Sequence, residues 1–173
     1  MSNPPVKRRA FLKLGIASAV VLAVGGGAVA LMKPGLVGGK LSPAARLVMA
    51  KIGQAMLVGT LPTEQAAMQA ATQALLERTD QFLAGLPTHV LAELDQLLGL
   101  LISAPGRRLL VGLSSTWEQA SSAEVGAALQ AMRESGTELR VQAYLGLHDI
   151  VCAPYFSGQE SWAVLGYPGP TPV

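Results

Sequence analysis

One cysteine, Cys152, stands in a chain of 173 residues, so no internal disulfide can form. A thiolate zinc site and a CxxCH haem attachment are excluded for the same reason. Aromatic residues make up only 5% of the chain, which argues against a β-rich sandwich core. No acidic residue precedes Glu64, whereas four of the 13 basic residues (Lys7, Arg8, Arg9 and Lys13) precede Leu14. The formal net charge of +2 therefore belongs to the N-terminus, and the rest of the chain is slightly acidic. A nucleic-acid footprint needs clustered Lys and Arg on the folded body, so nucleic acid is not an expected partner. There is no GxGxxG after a strand and no pair of histidines at ligand spacing. No cofactor or metal is expected in this chain.

What is present begins with a leader. Arg8-Arg9 precede Phe11-Leu12-Lys13, and the 19 residues from Leu14 to Met32 carry no charge. Basic start, apolar stretch and the small residues Ala28-Val29-Ala30 match an export leader. "RRAFLK" resembles the twin-arginine translocation motif, and Gly15 and Gly25-Gly26-Gly27 keep the stretch only moderately hydrophobic. The resemblance implies the twin-arginine translocase as a transient partner and the periplasm as destination. Two fates stay open: cleavage after Ala30, or retention of a helix of about 28 Å as a membrane anchor.

The length suits one domain of about 100–150 residues behind this appendage. "KPGLVGGKL", Lys33 to Leu41, reads as a Gly/Pro-rich linker. Residues 42–153 alternate helical stretches with short breaks. Ser42-Pro43 is an N-cap followed by proline at the first helical position, opening a helix to about Val58. Thr63 is the expected cap of a long helix carrying Met68, Ala71, Leu75 and Phe82 and ending at Gly85. A third starts at Thr88, with Leu91, Leu94, Leu98 and Leu101 on one face. Ser103-Ala104-Pro105 begins a shorter one, Ser121 and Glu124 form a capping box, and Thr137 caps the last. The expected fold is all-α, an irregular bundle of five or six helices, without hairpins. From residue 154 to 173 an extended tail rich in aromatics, Pro and Gly follows. It holds four of the chain's eight aromatics, and rings in such a tail are buried on the bundle or on another protein.

Few side chains suggest chemistry. His148 and Cys152 are four apart and share a helix face, with Asp149 beside them. A Cys–His nucleophile pair is one reading; a helix-end histidine beside an inert thiol is the ordinary one. A third is an intermolecular bridge through Cys152, since an unpaired cysteine in an oxidising compartment finds thiols on other chains. His89 is expected to face solvent, and Arg107-Arg108 to form a solvated helix face with one partnered arginine. Trp117 and Met49 read as core, and Ser114-Ser115-Thr116 has no base at fixed spacing to activate a hydroxyl.

The C-terminal half carries a second resemblance. Arg133, Ser135, Leu139-Arg140, Ala143-Tyr144, Leu147, Tyr155-Phe156, Trp162 and the terminal Leu165-Gly166-Tyr167-Pro168-Gly169-Pro170 form its pattern. This pattern resembles the small twin-arginine-leader subunits that accompany flavin dehydrogenases of the glucose-methanol-choline type, the gluconate 2-dehydrogenase small-subunit group. The resemblance implies a non-catalytic subunit that binds a large FAD-bearing subunit and supplies its export signal. A cytochrome c subunit would receive the electrons. Partner contacts are expected at Tyr144, Tyr155, Phe156, Trp162, Tyr167 and Pro168. The alternative from the residues alone is a stand-alone exported helical module that binds a hydrophobic ligand.

Overall fold

The computed structural model describes residues 33–162 and 164–169. The leader residues Arg8, Arg9, Phe11, Leu12 and Lys13 lie outside them. The architecture is all-α. Among the described residues, two short strands, β1 (Leu36–Val37) and β2 (Lys40–Leu41), precede α1 (Pro43–Met56), α2 (Gln65–Ala84) and α3 (Thr88–Ile102). A three-residue helix, α4 (Ala104–Gly106), runs into a π-helical turn at Arg107–Val111. Then come α5 (Ser122–Arg133), α6 (Glu138–Phe156) and the four-residue α7 (Gln159–Trp162). Among the described residues, no helix is long and apolar enough to cross a membrane.

Helix α1 is the hub, packing against α2, α3, α5 and α6. Ala45, Val48, Met49, Ile52 and Gly53 recur at helical spacing and are all buried. Gly53 lets α2 approach closely, because a Cβ there would stand 2.7 Å from Leu75 Cδ2. Ser42 caps α1 as expected, its Oγ accepting the Ala45 N–H at 3.2 Å. The capping box is also formed: Ser121 Oγ accepts from the Glu124 N–H, and Glu124 Oε2 accepts from the Ser121 N–H. Trp117 is a core anchor, its indole N–H donating to the Leu101 carbonyl at 2.7 Å.

Helix α2 differs from its sequence reading twice. Its cap is Glu64 rather than Thr63; the carboxylate accepts the N–H groups of Ala66 and Ala67. The buried stripe is Thr72, Leu75, Leu76, Thr79 and Leu83, rotated away from Met68, Ala71 and Phe82. The two threonines enter the core because each hydroxyl donates to a carbonyl four residues back, Met68 and Leu75.

The stretch from Lys33 to Leu41 is a docked hairpin, not a linker. Gly38 and Gly39 take φ of 58° and 76°, the pair of left-handed positions a two-residue turn needs. Leu36 then pairs with Leu41, and Val37 with Lys40. Two carboxylates fix the hairpin to the bundle. Asp95 Oδ1 accepts the Leu36 N–H at 2.7 Å, and Asp80 Oδ1 accepts the Leu41 N–H at 2.8 Å.

The C-terminal tail is likewise more ordered than an extended segment. Helix α6 continues through Pro154 to Phe156. A proline in the last turn forfeits one intrahelical bond, but the helix ends two residues later and the loss is small. Tyr155 holds this last turn down: it is buried, and its hydroxyl donates to the Thr60 carbonyl at 2.9 Å. Beyond α7 the chain closes a helix C-cap. The Tyr167 N–H donates to the Trp162 carbonyl at 2.9 Å, and Gly166 sits between them at φ 66°. A six-to-one bond over a left-handed glycine is the Schellman pattern.

Candidate functional site

Helix α6 is the spine of the candidate site. On one of its flanks Tyr144, His148 and Cys152, spaced four apart, line a hollow of about 270 Å³ shared with Met56 of α1 and Leu129 of α5. On the other flank lies a groove of about 560 Å³. Phe82 of α2, Val90 and Leu94 of α3, and Ile150 and Ala153 of α6 line it, with Leu86 and Pro87 from the connecting turn. Cys152 borders both cavities.

The electrostatics around Cys152 oppose nucleophilic chemistry. Burial pushes the thiol above its ordinary range, and the Asp149 carboxylate pushes it further. A reactive cysteine needs the reverse, a positive neighbour that favours thiolate. His148 Nδ1 faces Asp149 Oδ1 at 3.4 Å, and its ring stands 6.1 Å from that of Tyr144. Among the described residues, no three His, Cys, Asp or Glu side chains gather as a metal site. Cys152 is half-buried and forms no disulfide.

The six residues expected to contact a partner divide into three groups. Tyr155 is only 4% exposed and belongs to the core, so its ring and hydroxyl are committed inside this chain. Tyr144 and Phe156 are half-buried, packed against the core with an edge outside; Phe156 meets Tyr155 edge-on at 5.1 Å. Trp162, Tyr167 and Pro168 lie at the C-terminal cap, where Tyr167 and Pro168 are exposed and Trp162 is half-buried. The sequence reading missed Val164 and Leu165, which are 53% and 56% exposed beside them. Their signal was the cap itself: with Gly166 at the turn and Trp162 and Tyr167 closing it, Val164 and Leu165 are left outward.

The Arg107-Arg108 pair is split, with one arginine on a solvated face and the other buried. Arg108 is exposed, whereas Arg107 is buried and its carbonyl accepts the N–H groups of Gly112 and Leu113. The π turn that holds both is stabilised by Arg140, which donates to the Leu110 and Val111 carbonyls. His89 is exposed, as expected, at the mouth of the larger groove. No family model, curated protein or solved structure matches the chain.

Proposed function

We propose that this chain is the non-catalytic small subunit and escort of a periplasmic FAD-dependent dehydrogenase of the glucose-methanol-choline type, acting on an alcohol or a sugar. It grips the flavin-bearing large subunit, which folds before transport, and its Arg8-Arg9 leader takes both through the twin-arginine translocase. The flavin resides in the large subunit, and a cytochrome c subunit accepts the electrons. Cys152 is available to bridge to the large subunit.

The observation that carries this reading is the exposed apolar strip at the C-terminal cap. Val164, Leu165 and Tyr167 are each about half exposed or more within four residues. Single exposed apolar side chains are ordinary; several on one capped segment favour association. The strip falls inside the run that resembles the small-subunit group, and a route for prefolded cargo gives such a subunit its task.

The test is purification of the exported chain from its natural host, with absorbance near 450 nm read on the eluate. A stoichiometric yellow flavoprotein with sugar or alcohol dehydrogenase activity is the expected result. A colourless monomer at the periplasmic address overturns the proposal and leaves the stand-alone binding module.

A further inference from the structure

The larger groove has a chemistry of its own. Its walls are aliphatic and aromatic, from Phe82, Val90, Leu94, Ile150 and Ala153. Gly146 of α6 also lines it and leaves room there, since a Cβ would meet nothing nearer than Leu97 Cδ2 at 3.9 Å. Its volume of about 560 Å³ falls within the range of small-molecule sites, roughly 300–1,000 Å³. No Lys or Arg lines it, and Asp149 is the one acidic residue in its lining. The Asp149 side chain is 64% exposed, with His148 as its neighbour at 3.4 Å, and is open to a ligand cation.

We propose that this groove is a binding site for a small amphiphile with an aliphatic body and a cationic, ammonium-type head. The apolar body occupies the cleft between α2, α3 and α6, removing its walls from water. The head lies at the rim beside Asp149. A carboxylate head would meet that side chain with like charge, and a neutral head would gain nothing from it. Because the rim is exposed, the charge preference is modest, about threefold per ligand charge. The groove shares no residue with the C-terminal cap that carries the escort reading; Cys152 is the one lining residue that reading also uses, and the groove requires no bridge there.

The experiment uses the full chain with three probes of one length: octylammonium, octanol and octanoate. Binding is followed by calorimetry and by protection of Cys152, the sole thiol and a rim residue, from alkylation read by mass spectrometry. The expected order is octylammonium, octanol, octanoate, with about threefold to tenfold between the first and last. Asp149→Asn brings that ratio near one, with protection compared within each variant because the substitution also changes the thiol. Gly146→Leu or Ala153→Leu, whichever retains the helical circular dichroism of the parent, fills the groove and removes protection by all three. Equal or tighter octanoate binding overturns the charge assignment. Protection that persists in the filled variants, or no protection by any probe, overturns the site. Neither result touches the flavoprotein co-purification.

Discussion

Trp162 and Tyr167 meet edge-on, ring centroids 5.3 Å apart, across the bond that closes the last helical turn. The pair occupies the two positions that flank a Schellman cap, where an apolar contact reinforces the six-to-one bond. Gly166 makes the arrangement possible at φ 66°, and Gly169 completes it by passing so close to the indole that a Cβ would stand 3.3 Å from Trp162 Cζ3. Gly166→Ala is expected to cost the cap about 1 kcal/mol. Near-ultraviolet circular dichroism from the edge-on ring pair should fall while the far-ultraviolet helix signal stays. If this cap presents the docking strip, the same variant weakens co-purification of the flavoprotein; an unweakened complex separates the strip from the interface.

Tyr155→Phe tests the reassignment of that ring from partner contact to core. The phenol donates to the Thr60 carbonyl across a sequence separation of 95 residues, pinning the end of α6 to the turn after α1. Losing one neutral hydrogen bond costs about 1 kcal/mol. Urea unfolding should show that loss with an unchanged slope, and complex formation with a large subunit should be unaffected. A parent-like midpoint would mean that the hydroxyl contributes nothing to the packed state.

Much of this fold was legible because its signals are local. Ser42-Pro43 and the Ser121/Glu124 box mark helix starts through bonds made within four residues, and both are formed. Leu94, Leu98 and Leu101 of α3 and the Leu147, Ile150, Val151 face of α6 are buried where the 3.6-residue period puts them, with Leu91 half-buried at the start of the α3 stripe. The misses depended on distant partners. Gly38-Gly39 looked like linker because only Asp80 and Asp95, far along the chain, make that hairpin dock. The α2 stripe was misplaced because Thr72 and Thr79 enter the core once their hydroxyls are satisfied by α2 carbonyls, which apolar spacing does not show. At the candidate site, His148 and Cys152 were rightly placed on one face of α6. The groove on its other flank was not legible, since three helices from separate parts of the sequence build it.

Asp80 is the hinge of that long-range docking, and its loss should be measurable. One carboxylate oxygen takes the Leu41 N–H at 2.8 Å and the other pairs with Arg46 Nη1 at 2.6 Å. The Asp80 side chain is only 14% exposed, so Asp80→Ala leaves a partly buried amide and guanidinium short of partners. Each bond to a charged group is worth about 1.5–3 kcal/mol, and some is regained from water. We expect a net loss of about 2 kcal/mol. In a double-mutant cycle with Arg46→Ala the two losses should fall short of additivity, because they share one bond. Strict additivity would show that the ion pair carries no coupling.

Gly106 sits where no other residue fits. A Cβ built there would fall inside the Leu100 carbonyl oxygen, in the tight corner between α3 and the π turn. The atom it meets is backbone, which cannot rotate away as a flexible side chain can. Gly106→Ala is therefore expected to cost about 3 kcal/mol or more. Gly126 of α5, where a Cβ would meet nothing within 4 Å, is the matched control, and Ala there should stabilise the helix by about 0.5–1 kcal/mol.

Cys152 gives a pH test of the site's electrostatics. Burial and the Asp149 carboxylate both disfavour the thiolate, so its fraction at neutral pH is below that of an unperturbed thiol. Alkylation by iodoacetamide should be slower than for a free cysteine peptide near pH 8, and its pH midpoint should lie above the ordinary thiol value. Because the folded pKa is raised, the neutral thiol is the form the fold favours, and the rate rises only as pH passes that higher value. Asp149→Asn removes the second cause and should shift the midpoint downward without reaching the free value, since burial, the larger cause, remains. A midpoint at or below that of the free peptide would instead require a positive group at the thiol and would reopen nucleophilic chemistry at this position.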